Sequence, residues 1–182
     1  MQLNGEQLLP VGQQHAWAAL TNIEVLRACM PGCESLTRTA QGSYLATIHA
    51  SVGPVRARFL GTIAMTDINE PNSYILRFDG NSGPTGFVRG QAHVVLRPDG
   101  PDRTFLLYAS TAQVGGRLAQ VGSRLIDAAA GAMSEKFFVA FSRQLTPAPG
   151  VGVPAGAVTL ASDGFELGSF LWAFLRRVFG KD

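Results

Sequence analysis

Apolar and polar positions alternate with a period of two along most of the chain up to Val114, and change to three- and four-residue steps beyond Gly116. Residues 2–11 predict a first strand, with Leu3, Leu8, Leu9 and Val11 among polar neighbours. Two short helices are expected over 13–20 and 22–28, where Ala16, Trp17, Leu20, Val25 and Leu26 supply an apolar face. Pro31-Gly32 stops them, because proline lacks an amide hydrogen and glycine accepts positive φ. Further strands are predicted over 43–52, 55–66, 74–79, 86–97 and 104–114. In the first of these Tyr44, Ala46, Ile48, Ala50 and Val52 share one face, and Leu45, Thr47, His49 and Ser51 the other. In the second, Val55, Ala57, Phe59, Gly61, Ile63 and Met65 oppose Arg56, Arg58, Leu60, Thr62 and Thr66. The breaks at Gly53-Pro54, Glu70-Pro71-Asn72 and Pro98-Asp99-Gly100-Pro101 are of hairpin length, so the sheet is expected to be antiparallel.

A long helix is predicted from Gly116 to about Leu145, with Leu118, Val121, Leu125, Ile126, Ala129, Met133, Phe137 and Phe141 on one stripe. Gly122 and Gly131 fall inside it at about 1 kcal/mol each relative to alanine, which implies a close neighbour or room being left. One strand, two short helices, a run of antiparallel strands and one long helix define an α+β helix-grip arrangement, a curved sheet wrapped around the last helix. One helix cannot fill a strongly curved sheet along its whole length, so an apolar cavity is expected. Small residues at Ala46, Ala50, Gly61, Gly90 and Ala92 would enlarge it, and a leucine in place of Gly90 would fill part of it. Phe59, Ile63, Phe78, Phe87, Tyr108, Leu125, Met133 and Phe137 are the candidate lining residues, with Tyr108 and Arg89 placed to orient a polar headgroup.

Composition narrows the function. A hydrophobic fraction of 46% with 15% charged residues excludes disorder, and a net charge of +2 without a basic run argues against nucleic acid. The polar N-terminus lacks the basic start and apolar core of a signal peptide, and no run is long enough to span a membrane, so a cytoplasmic protein is expected. Cys29 and Cys33 have no histidine or further cysteine near them in sequence, so free thiols without metal are expected. His49 and His93 stand on strands and are candidates to hydrogen-bond a carbonyl in the cavity, against the plainer reading of surface or satisfied core histidines. No Gly-x-Ser-x-Gly elbow, His-Glu-x-x-His or phosphate loop occurs; a cyclase- or hydrolase-type site carries little sequence signature and stays open, and a protein that is not an enzyme is expected.

Cys29-Met30-Pro31-Gly32-Cys33-Glu34-Ser35-Leu36 resembles the segment after the short helices of CoxG proteins, the G subunits of carbon monoxide dehydrogenase. Ser51-Val52-Gly53-Pro54-Val55, Phe59-Leu60-Gly61 and Gly86-Phe87-Val88-Arg89-Gly90 resemble the strands that follow. Thr104-Phe105-Leu106-Leu107-Tyr108 and Gly115-Gly116-Arg117-Leu118-Ala119 carry the resemblance to the long helix, about residues 1–145 in all. It implies the START-like/Bet v 1-like fold of the SRPBCC superfamily, whose members hold apolar ligands. It further implies an accessory of a molybdenum-containing carbon monoxide dehydrogenase, or a related molybdenum hydroxylase. The ligand implied is a membrane quinone, menaquinone or ubiquinone, shuttled between the inner face of the cytoplasmic membrane and the enzyme; no covalent cofactor is expected. A cyclase- or hydrolase-type enzyme of the same fold, and a recruitment factor without a ligand, are the alternatives.

Residues 146–164 read as a Pro/Gly/Ala-rich linker after the domain of residues 1–145, and 165–182 as an amphipathic helix. Phe170, Leu171, Phe174 and Leu175 share its apolar stripe with Trp172 beside it, and Arg176 and Arg177 follow. From Phe165 to Phe179 it would be roughly 22 Å long, short of the ~30 Å hydrocarbon core, which predicts a helix lying on the membrane surface. Docking of the same stripe onto its own domain or onto a protein partner is the alternative.

Overall fold

The computed structural model describes residues 1–146. The linker beyond Thr146 and the helix of residues 165–182, with Phe170, Leu171, Trp172, Phe174, Leu175, Arg176 and Arg177, lie outside the described residues.

Strand β1 (Gln2–Leu9) leads into helices α1 (Gln13–Thr21) and α2 (Ile23–Cys29). Asn22 separates the helices and caps the second, its side-chain oxygen accepting from the amides of Glu24 and Val25 at 2.9 and 3.3 Å. Strands β2 (Cys33–Arg38), β3 (Tyr44–Val52), β4 (Val55–Asn69), β5 (Ser73–Asn81), β6 (Phe87–Pro98) and β7 (Thr104–Gly115) follow, then helix α3 (Ser123–Leu145). The strands form one antiparallel sheet in the order β1-β7-β6-β5-β4-β3-β2. The expected curved sheet with its last helix is the observed architecture.

Two features differ from the sequence reading. The strand β2 was not predicted: only Leu36 of its six residues is fully buried, so pairing with β3 rather than its own pattern makes it a strand. The long helix starts at Ser123, not Gly116. Gly122 has φ +93, outside the right-handed helical region, and Gly116–Val121 form a separate 3-10 turn. Gly131 does lie within α3, and a Cβ there would meet nothing within 4 Å, so it leaves room.

The core fills one end of the grip. Leu9, Trp17, Leu20, Tyr74, Leu96, Leu106, Phe141 and Leu145 pack together, drawn from α1, the second half of α3 and the facing strands. Trp17 meets Tyr74 edge-on at 5.6 Å, and Phe137 stacks on Phe141 at the same separation. A smaller cluster of Leu36, Tyr44 and Ala46 lies under α2 with Ile23 and Leu26 against it.

Candidate functional site

Helix α3 changes character along its length. Its second half carries Phe137, Phe138 and Phe141, large enough to reach the sheet. Its first half reads Asp127-Ala128-Ala129-Ala130-Gly131-Ala132, too small to do so. The unfilled space is a cavity of ≈360 Å³. From the helix Ile126, Ala129, Ala130 and Met133 line it, at the three- and four-residue steps of one face. From β3 come Ala46, Ile48, Ala50 and Val52, at the period of two expected for one side of a strand. Phe59, Gly61 and Ile63 of β4, Leu76, Phe78 and Gly80 of β5, Val88, Val114, Leu118, Met1 and Met30 complete the apolar wall; Thr62 and Asp79 are the polar residues beside it.

Of the nine candidate ligand residues, Phe59, Ile63, Phe78 and Met133 meet at this cavity. The other five do not line it. Phe87 and Arg89 alternate with Val88 and take the convex face, where the Arg89 guanidinium lies 5.7 Å over the Phe87 ring and Arg89 Nε donates to Asp79 at 2.7 Å. Tyr108 stacks on Phe138 at 5.3 Å and accepts a hydrogen bond from Ser134 Oγ at 3.1 Å, between the core and a surface groove of ≈570 Å³ beside β1. That groove is bordered by Gln7, Glu135 and Ser142, and its polar walls set it apart from the apolar cavity. Leu125 is 46% exposed, because the stripe read from Gly116 onward is interrupted at Gly122. Phe137 packs into the core beyond the cavity.

Among the small residues, Ala46, Ala50 and Gly61 line the space, whereas Gly90 and Ala92 do not. A Cβ on Gly90 would collide with the Thr111 carbonyl and sit 2.9 Å from both Ala112 Cα and the Phe78 ring. That glycine serves close packing, so leucine there would disrupt the sheet rather than fill the cavity. Ala129 and Ala130 are the lining residues hardest to single out beforehand, since alanine on a helix carries no signal of what it faces.

The histidines face away. His49 is 58% exposed on the convex face, with Nε2 2.8 Å from Glu34 Oε2. Arg58 Nε and Nη2 donate to both oxygens of the same carboxylate at 2.8 and 2.9 Å. Hydrogen bonds from Arg58 and then His49 hold the Glu34 carboxyl down at about 2. His93 shares the register of Arg89 rather than that of Val88 and Val94, and burial lowers its pKa. Cys29 and Cys33 are free thiols whose pKa values burial raises, so neither is an activated thiolate.

A curved seven-stranded antiparallel sheet closed by the long helix α3 over an apolar cavity is the START-like fold. The sequence profile of CoxG, the G subunit of carbon monoxide dehydrogenase, matches residues 5–146, and the chain belongs to the CoxG family. Among solved structures it is similar to a conserved protein from Geobacillus kaustophilus, with 29% identity over 80% of this chain and 95% of that one and a TM-score of 0.75. A START superfamily protein from Mycobacterium smegmatis aligns at 13% identity, TM-score 0.59, over 79% of this chain and 96% of that one. The Zhui aromatase/cyclase from Streptomyces sp. R1128 aligns at 12% identity, TM-score 0.59, over 83% and 99% respectively. At these last two identities the likeness shows the fold alone. No curated protein sequence matches the chain.

Proposed function

We propose that the protein is a non-enzymatic, membrane-associated accessory of a molybdenum-containing carbon monoxide dehydrogenase or related molybdenum hydroxylase. It binds a quinone, menaquinone or ubiquinone, in its cavity and carries it between the inner face of the cytoplasmic membrane and the enzyme. Membership of the CoxG family supports the choice of partner. The observation that carries the reading is the cavity: ≈360 Å³, within the ~300–1,000 Å³ of small-molecule sites, and walled almost wholly by apolar side chains. Such a wall fits the ring face and isoprenoid chain of a quinone, and binding rests on apolar burial.

A catalytic reading of the same fold, as in the aromatase/cyclase relative, needs an acid or base at the cavity. Asp79 is the one ionisable side chain among its described lining residues, and it is bound to Arg89 on the convex face. The carrier reading is therefore favoured over the enzyme. No helix among the described residues is long and apolar enough to cross a membrane, which is compatible with peripheral association through residues 165–182.

Organic extraction of the purified chain followed by mass spectrometry should recover a quinone, and the emptied protein should bind a short-chain ubiquinone analogue in calorimetry. Recovery of no apolar molecule, together with no uptake of the analogue, would overturn the carrier function. Truncation after Leu145 should leave uptake intact and weaken the hold on anionic liposomes.

A further inference from the structure

Strand register gathers four segments at one end of the sheet. They are the tip of the β3–β4 hairpin, where Val52 pairs with Val55, the β5–β6 loop between the paired Asn81 and Phe87, the 3-10 turn that follows Gly115, and the start of α3. They touch one another: a Cβ on Gly86 would lie 3.3 Å from Leu118 Cβ, and one on Gly53 3.3 Å from Leu125 Cδ1. The cavity lies at this end, since Val52, Gly80, Val88 and Val114 are terminal or next-to-terminal residues of their strands.

The charges here are unbalanced. Arg56, Arg117 and Arg124 are exposed, and none makes an ion pair or hydrogen bond with another described residue. Elsewhere on the domain Arg58, Arg89 and Arg103 are each bound to a carboxylate, while Arg27, Arg38 and Arg143 stand singly on α2, β2 and the end of α3. Asp127 is the one acidic residue in these four segments, whereas the turns at the other end of the sheet carry Glu70, Asp99 and Asp102. Between the free arginines stand exposed apolar side chains: Leu125, 46% accessible, with Pro54 and Pro84 at the loop tips. Apolar tips amid unpaired cations match a surface that is both apolar and anionic, as an acidic lipid bilayer is.

We propose that this end of the domain docks on an anionic bilayer, with Arg56, Arg117 and Arg124 on lipid phosphates and Pro54, Pro84 and Leu125 at headgroup depth. The cavity then faces the lipid, and an apolar ligand passes between the two without crossing bulk water. This surface builds on the carrier reading. It is made of described residues only, none of them in the helix expected over 165–182.

The test uses the full chain with a polarity-sensitive fluorophore on Ser123→Cys at the docking end, or on Gln41→Cys in the β2–β3 turn at the other. The unmutated chain, labelled in parallel, gives the background from Cys29 and Cys33. Vesicles of phosphatidylcholine and phosphatidylglycerol at three to one should shift the Ser123→Cys emission to the blue and allow quenching by spin-labelled lipid; the Gln41→Cys label should not respond. Combined Arg56→Gln, Arg117→Gln and Arg124→Gln substitutions should weaken the response by about a hundredfold in lipid concentration, roughly fivefold for each charge. An unresponsive Ser123→Cys label on a chain that still cosediments with the vesicles would overturn the docking end and leave the tail as the sole contact. A full response from the triple variant would overturn the role of the arginines. The triple variant should take up the short-chain ubiquinone analogue from solution as the parent does. If the parent takes up none, the carrier function fails while the label still decides the docking.

Discussion

Ala130 offers the sharpest test of the cavity. It lies on the inner face of α3, four residues after Ile126 and three before Met133, and all three line the ≈360 Å³ space. Leucine at this position adds three carbons, and its helix propensity is close to that of alanine, so the helix itself is little affected. In a packed core such a change costs about 1–3 kcal/mol through strain. Here the carbons enter space that the small residues of α3 leave open, and thermal unfolding of the empty variant should be unchanged or shifted upward. A ligand that used the same volume loses burial worth about 0.8 kcal/mol per methylene, about 2.4 kcal/mol in all, or roughly fiftyfold in affinity. Calorimetric titration of the short-chain ubiquinone analogue into Ala130→Leu and the parent measures this directly. Unchanged affinity in a folded variant would refute the placement of the ligand. A drop in stability of the overpacking size would refute the existence of the space.

Phe141→Ala should cost about 3–5 kcal/mol in urea unfolding, because the ring is 0% exposed and anchors the half of α3 that is packed. Gly61→Ala should destabilise the domain, since its Cβ would strike the Asp79 carbonyl, whereas Gly80→Ala should be tolerated, its nearest neighbour being Phe59 Cβ at 3.7 Å; equal melting temperatures for the two would contradict this geometry. The Glu34 carboxyl is held below its ordinary 4.5, at about 2, so its contribution to stability is complete above 4.5 and disappears as pH falls through about 2. Carboxyl NMR titration should show that midpoint, and the loss over this acid range should be shallower in Glu34→Gln.

The residues of β3 and β4 that face the cavity were legible from alternation alone. Each strand has a period of two, so once Tyr44 or Phe59 is set inward, Ala46, Ile48, Ala50, Gly61 and Ile63 follow. The hairpin breaks and the element order likewise determined an antiparallel sheet with one closing helix, since each depends on short-range backbone preferences. Family membership was legible in the ordered segments from Cys29 to Ala119, within the 5–146 match.

What an apolar residue faces was decided only by the tertiary structure. Met133 and Phe137 share a stripe at four-residue spacing, yet one borders the cavity and the other the core, because α1 and β1 close over only one end of the helix. Phe87 and Arg89 fell to the convex face because strand register places Val88 inward, and local composition does not reveal that parity. Six residues from Cys33 became a strand because β3 offered its edge, a long-range pairing that leaves little trace in a short polar segment. The glycines divide in the same way: Gly90 accommodates the Phe78 ring across the sheet and Gly131 faces open space, although both read as missing side chains. Periodicity is local and survives in the sequence; packing depends on which surfaces meet, and that requires the folded chain.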